Sequence, residues 1–162
     1  MTDKQAWFLL ALGVLNGGVK AEHAARNAAA LVRSLTKLEN PFCVLKGSEI
    51  EDILRFPRPL SRFPNQSGRY MRENLQKVQL QYASNPRLIF CKESGALRPV
   101  KEIESRLVTF SGIATHKARV LATMSCWLEK SCFEMDGALL SEECPSALNA
   151  IGEIAKYFGE FK

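Results

Sequence analysis

The stretch from Leu107 to Leu121, LVTFSGIATHKARVL, constrains the fold of this chain more than any other. Its apolar residues follow helical spacing on both sides of Gly112, and glycine is the residue that most readily forms a tight turn. The pattern predicts the end of one helix, a turn and the start of a second helix. The small Ala118 stands where two such helices would touch.

The predicted start of the second helix is a suitable place for an anion. The first backbone N–H groups of a helix have no partner within it, and the helix dipole adds partial positive charge there. Phosphate is a common ligand of such helix ends. We therefore expect the hairpin to hold a nucleic-acid backbone, with contacts from Gly112, Ala114, Thr115, His116, Lys117 and Arg119.

The charge distribution points to the same kind of partner. The net charge is +5 over 162 residues, but from Glu129 onwards seven acids and three bases give −4. The first 128 residues therefore carry +9. A basic body with an acidic end predicts a polyanionic partner for the body, although a merely basic solvated surface is the alternative.

Residues 55–72, RFPRPLSRFPNQSGRYMR, hold five arginines, three prolines and no acid. Three aromatic residues are interleaved with the arginines, and this mixture suits phosphate contact with base or sugar stacking. The alternative is an ordinary loop whose aromatic side chains pin it to the core. The prolines predict that helix begins only at about Ser67. The candidate DNA contacts in this segment are Arg62, Arg69 and Arg72.

Helical periodicity covers much of the N-terminal half. Residues 3–16 predict a central helix capped by Asp3, because they are apolar nearly all round. Residues 20–38 predict an alanine-rich second helix, and Ser48-x-x-Glu51 is a capping-box pattern that opens a short third helix. In the helix predicted over residues 69–83, the candidate buried positions are Leu75, Val78, Leu80 and Tyr82.

The C-terminal half continues the helical pattern. Residues 88–90 predict a short strand or one helical turn, and residues 100–109 and 115–128 predict the two helices of the hairpin. Pro145 suits the first turn of a last helix. The whole chain predicts an all-α fold of seven or eight helices. We expect a single helical domain over residues 1–162, either undivided or formed of two sub-lobes with a DNA cleft between them.

Cysteine usage and hydropathy limit the cellular compartments in which this chain is expected. The five cysteines have irregular spacing without a CxxC pair, and with only two histidines the sequence predicts no metal site and no cofactor. The longest apolar run, residues 6–15, is too short to cross a bilayer and lacks signal-peptide flanks. We expect free thiols in a reducing compartment, no membrane partner, and an intracellular location in the cytoplasm, nucleoid or nucleus.

The pattern Leu107-x-x-Phe110-Ser111-Gly112-Ile113-x-x-x-x-Ala118-x-x-Leu121 resembles a helix–hairpin–helix motif, here within residues 100–128. Three further stretches resemble, in order, segments of the helix–hairpin–helix DNA glycosylase superfamily, which contains endonuclease III. They are Trp7–Gly18, Ser48–Leu54 and Gly68–Leu75. The resemblance covers about residues 5–128. It implies a helical scaffold that binds double-stranded DNA and extrudes a damaged base from the stack.

The sequence also departs from the family pattern. Ala114 stands where the family has a second hairpin glycine. His116 stands where bifunctional members have a lysine that attacks the sugar, and Lys117 lies one place later, about a quarter turn around the helix. The family's cluster cysteines are absent, and its glutamine wedge is replaced near Gly18.

The resemblance implies a carboxylate beside the sugar, where it would stabilise positive charge and activate a water. Asp136 and Glu134, in the segment FEMDG, are the nearest candidates, with a loop residue as the alternative for Asp136. Lys117 is a candidate nucleophile or a phosphate contact. His116 is a candidate catalytic residue or a packed or capping histidine.

Three functions therefore stay open at this point. The first is a DNA-binding protein resembling a base-excision-repair glycosylase, which releases a damaged base by hydrolysis of the N-glycosidic bond. The second is a non-catalytic helix–hairpin–helix protein that binds DNA or scaffolds a repair complex. The third is a helical interaction protein whose hairpin is purely structural. The retained scaffold favours the first.

Overall fold

The computed structural model describes residues 1–37, 48–55, 57–130 and 145–162. The described part of the chain is all-α, as the sequence predicts, and contains eight helices. Their bounds are α1 Asp3–Leu15, α2 Ala21–Leu35, α3 Glu49–Arg55, α4 Pro64–Gln81, α5 Arg87–Phe90, α6 Val100–Leu107, α7 Thr115–Lys130 and α8 Pro145–Glu160.

Helix α1 is the central element, and it is buried all round from Gln5 to Leu15. It contacts α2, α4, α5 and α7. The predicted cap at Asp3 is wrong, because the N-cap is Thr2, whose hydroxyl accepts from Gln5 N while the Gln5 side chain accepts from Thr2 N. This reciprocal capping box leaves Gln5 free to donate from Nε2 to Phe158 O at 3.0 Å, which ties α1 to α8.

Helix α2 packs its alanine-rich face against α1 and α8. Ala24, Ala25, Ala28 and Ala29 are fully buried, and their small side chains allow the helices to approach closely. At the C-terminal end of this layer the guanidinium of Arg33 forms two hydrogen bonds with the carboxylate of Glu160, at 2.6 and 2.5 Å. Helix α8 contributes Ile154 and Phe158 to the core.

Helix α4 begins earlier than the prolines predict, at Pro64 instead of about Ser67. Proline is tolerated in the first helical turn because its missing N–H would have no partner there. Leu75, Val78 and Tyr82 are buried as predicted, but Leu80 is 74% exposed. The strand-or-turn alternative at residues 88–90 resolves to the short helix α5, followed by an isolated antiparallel bridge between Cys91 and Leu97.

Cys91 and Cys126 are buried, which agrees with the expectation for these two cysteines. Burial raises the pKa of the Cys91 thiol, which makes it a poor nucleophile. The other three cysteines lie outside the described residues. No helix among the described residues is both long enough and apolar enough to cross a membrane.

Replacing Leu75 by Ala should lower the free energy of unfolding by about 2–5 kcal/mol, because a fully buried leucine leaves a cavity behind. Leu80→Ala on the same helix is the matched control, and its exposed side chain predicts a change within about 0.5 kcal/mol. Urea denaturation followed by circular dichroism measures both. Equal losses would mean that Leu80 is covered in solution.

Candidate nucleic-acid interface at the α6–α7 turn

The turn between α6 and α7 occupies residues 108–114. It is closed locally by backbone hydrogen bonds from Phe110 N to Leu107 O at 3.0 Å and from Ile113 N to Phe110 O at 3.2 Å. The side chains of Phe110 and Ile113 are buried in the core and anchor the turn there. The two predicted hairpin helices are therefore present and joined by a short turn, while its identity as a helix–hairpin–helix motif stays a prediction.

Gly112 is required at this turn for two reasons. Its φ is +80°, a left-handed conformation in which an L side chain is strained. A Cβ added there would also lie 2.7 Å from Cδ2 of Tyr70, so the ring packs directly on the glycine backbone. Tyr70 is thus one aromatic residue of the arginine-rich segment that does pin it to the core. Ala114, the predicted departure from the family glycine, is exposed and does not have a positive φ.

Asn74 of α4 clamps the turn from the side. Its Nδ2 donates to Ser111 O at 3.0 Å, and its Oδ1 accepts from Ser111 N at 2.8 Å. Both polar atoms of the amide are thereby satisfied, although the side chain is only 1% exposed. This pairing satisfies the main chain of a turn residue that has no helix partner of its own.

Lys77 lies one turn further along α4 and holds the start of the same loop. Its Nζ donates to Thr109 O at 2.6 Å and lies 5.2 Å from the centre of the Phe110 ring. Burial lowers the pKa of the Lys77 ammonium. Three residues of α4, each about one helical turn apart, therefore brace the hairpin: Tyr70, Asn74 and Lys77.

Helix α1 braces the hairpin from the opposite end of the turn. A Cβ on Gly13 would lie 2.7 Å from Cδ1 of Leu121 and 3.0 Å from Cδ1 of Ile113, so glycine allows these side chains to approach α1 closely. The Nζ of Lys117 donates to Gly13 O at 3.0 Å and to Gly112 O at 3.1 Å. Its amine thus joins the end of α1 to the turn. Burial lowers the pKa of the Lys117 ammonium.

A small cavity of about 50 Å³ lies beside Lys117, between the end of α1 and the start of α7. His116, Lys117 and Asn16 supply its polar groups, and the rest of the lining is mostly apolar. Small-molecule sites occupy ~300–1,000 Å³, so this cavity is far smaller than a ligand pocket. The structure brings two predicted catalytic residues, His116 and Lys117, to one cavity. The other two, Asp136 and Glu134, lie outside the described residues.

The N-terminus of α7 is partly exposed. Its first backbone hydrogen bond runs from Ala118 N to Ala114 O at 2.9 Å, so the preceding N–H groups point out of the helix. Thr115 and His116 are exposed there. Arg119 is also exposed, with its Nε 3.5 Å from Oε1 of Glu104 on α6. This end of α7 carries no acid in its first turn.

The three predicted arginine contacts lie in different environments. Arg62 is exposed, and its guanidinium lies 5.4 Å from the centre of the Phe63 ring. Arg69 is exposed and pairs with Glu73 at 3.7 Å. Arg72 is half-buried in an ion pair with Glu51, whose side chain occupies the space left by Gly68. Arg72 therefore has a structural partner that Arg62 does not have among the described residues.

Comparison with known proteins gave no match. No family model matches the chain, and no curated protein or solved structure is significantly similar to it. The function of the hairpin therefore has to be inferred from its own geometry.

Sequence reasoning missed the residues that hold the hairpin in place, above all Asn74 and Gly13. Asn74 carried a signal, because asparagine is a poor helix former and here stands in the middle of an 18-residue helix. Gly13 carried the same kind of signal within the apolar α1. Such residues in a helix interior often mark a contact that only they can make.

Replacing Asn74 by Ala should lower the free energy of unfolding by about 2–3 kcal/mol, because two hydrogen bonds are lost and Ser111 keeps unpaired main-chain groups. Gln76→Ala, an exposed position two residues along the same helix, should change it by less than about 0.5 kcal/mol. Thermal and urea denaturation measure the difference. A loss for Asn74→Ala no larger than for Gln76→Ala would show that the clamp does not stabilise the turn.

Proposed function

We propose that this protein binds double-stranded DNA and that the α6–α7 turn holds the phosphate backbone. The observation that carries the proposal is the bracing of this turn by Asn74, Lys77 and Lys117, which leaves the N-terminus of α7 exposed. A turn fixed from both sides loses little conformational entropy when it binds, so its N–H groups are preorganised for an anion.

The exposed groups around this end suit a phosphodiester. The N–H groups of residues 115–117 and the hydroxyl of Thr115 are the hydrogen-bond donors, and Arg119 and the exposed His116 flank them. Lys117, in contrast, uses its amine to hold Gly13 O and Gly112 O. Lys117 therefore contributes to the contact with the DNA backbone indirectly, because it fixes the turn.

We further propose that the chemistry, as the resemblance to helix–hairpin–helix glycosylases implies, is release of a damaged base by water. Hydrolysis of an N-glycosidic bond leaves positive charge on the sugar, which a carboxylate stabilises. Asp136 or Glu134 is assigned this role on sequence grounds alone. The two carbonyl partners of Lys117 support a water nucleophile in preference to a lysine one.

The second candidate is a non-catalytic DNA-binding or repair-scaffold protein. The cavity beside His116 and Lys117 favours it, because about 50 Å³ does not accommodate a nucleobase. Both candidate functions require that the hairpin binds the DNA backbone. They differ only in whether the protein releases a base.

A negative charge at the start of α7 should weaken DNA binding without harming the fold. Thr115→Asp adds a carboxylate that repels phosphate but interacts favourably with the helix dipole. We expect duplex affinity to fall by at least about tenfold, since one charge-assisted contact contributes about 1.5–3 kcal/mol. Fluorescence anisotropy with a labelled duplex measures the affinity, and its salt dependence should be steep.

Thr115→Asn is the matched control, because it has nearly the same shape as Thr115→Asp without the charge. Its duplex affinity should stay within about twofold of the wild type. Equal affinity of the Asp and Asn variants, or binding of the wild type that does not change with salt, would remove the hairpin from the interface.

Base release tests the enzymatic part separately. Asp136→Asn should abolish release of damaged bases from duplex DNA while leaving duplex affinity unchanged, because the amide cannot stabilise the sugar cation. Chromatography of the freed bases measures release, with Glu134→Gln as the comparison. Loss only in Glu134→Gln moves the role to Glu134, and no release by the wild type from any lesion leaves the non-catalytic function.

A further inference from the structure

A second basic surface lies beside the turn that follows α1. It is an open cleft of about 450 Å³, formed by Leu15, Val19, the first half of α2 and the loop of residues 58–62. Its titratable lining residues are all basic: His23, Arg26, Arg58 and Arg62. No acidic residue of the described chain lines it, and we name it the basic cleft.

Leu60, which lies between Arg58 and Arg62 in the sequence, fixes the loop that carries both arginines. The Leu60 side chain is buried, its N donates to Leu54 O at 2.8 Å, and its O accepts from Asn27 Nδ2 at 2.9 Å. Asn27 belongs to α2, so the loop is tied to the helix that carries His23 and Arg26. A hydrogen bond therefore fixes one wall of the cleft to the other.

Arg62 reaches across the cleft toward the turn after α1. Its Nη1 lies 3.9 Å from the position that a Cβ on Gly18 would take, and Gly18 has a φ of +71°. None of the ion pairs among the described residues involves Arg26, Arg58 or Arg62. Three guanidinium groups thus share one cleft without a counter-charge from the described chain.

Such an arrangement fits a ligand with several negative charges. Guanidinium groups bind phosphate oxygens in pairs of parallel hydrogen bonds, and a single carboxylate would not balance three of them. Phe63 lines a neighbouring pocket that shares Arg62 with the basic cleft, and its ring, which has the Arg62 guanidinium over one face, is 55% exposed and offers apolar surface for a base beside the phosphates. The volume of about 450 Å³ falls within the ~300–1,000 Å³ of small-ligand sites.

We propose that the basic cleft binds the phosphate groups of a nucleotide, either free or as a unit of a single strand, with the base on Phe63. This site does not depend on the role of the hairpin, because it shares no lining residue with the cavity beside Lys117. A chain whose hairpin does not bind DNA would still bind a nucleotide here.

The test is calorimetric titration of the full chain with ADP and, separately, with a short single-stranded oligothymidylate at low ionic strength. Arg58→Gln with Arg62→Gln should weaken binding by at least about tenfold, because two charge-assisted contacts are removed. If the strand is the ligand, the slope of log affinity against log salt should also become shallower by about 1.4, for two single-strand contacts. Arg26→Gln should also weaken binding of the probe, and because Arg26 lies on α2 this loss does not depend on changes to the loop of residues 58–62.

Lys92→Gln with Lys101→Gln is the matched control, because it removes the same charge from two exposed lysines outside the cleft. Binding of ADP alone identifies a free nucleotide as the ligand, and binding of the oligonucleotide alone identifies a strand. The proposal is overturned if neither probe binds, or if the lysine control weakens binding as much as the arginine variants do. The duplex titrations with Thr115→Asp test the hairpin, and the ADP titrations with the arginine variants test the basic cleft, so a failure at the hairpin is distinguishable from a failure here.

Discussion

The hairpin depends on hydrogen bonds that side chains of α4 and of α7 itself donate to its main chain. The turn closes with few backbone hydrogen bonds of its own, and the carbonyl groups of Thr109, Ser111 and Gly112 are satisfied by Lys77, Asn74 and Lys117. These three side-chain donors, two lysine ammonium groups and one amide, together fix where the turn can lie. The direction of α7 is therefore set by α4 and α1, and not by the sequence of the turn alone.

The same constraint bears on chemistry at Lys117. Burial lowers the pKa of its ammonium, which favours the neutral amine that a nucleophile needs. Its two carbonyl acceptors, however, keep its hydrogens directed at Gly13 and Gly112. A lysine that turned toward a sugar would leave both carbonyls without this donor and would loosen the turn proposed to hold the backbone. Bracing the hairpin and attacking a sugar are thus competing uses of one side chain.

Residues whose role follows from the local periodicity of the sequence could be predicted. The all-round apolar pattern of α1 correctly placed it at the centre, and Gly112 correctly placed the turn. Residues whose role depends on a distant partner could not: Leu80 fits the apolar pattern of α4, yet it is exposed, and no element of the described residues covers it. The clamp by Asn74 joins residues 37 positions apart, and no short sequence pattern encodes such a pair. Asp136 and Glu134 lie outside the described residues, and their roles stay predictions.

Helix α1 connects the hairpin with the basic cleft. Gly13 accepts from Lys117 and Asn16 lines the adjoining cavity, whereas Leu15 and Val19 line the basic cleft. Because α1 is buried from Gln5 to Leu15, it cannot shift without disturbing the core, and the two surfaces keep a constant spacing. A ligand that contacts both would meet a surface already in its bound arrangement, and the entropy lost on association would be correspondingly small.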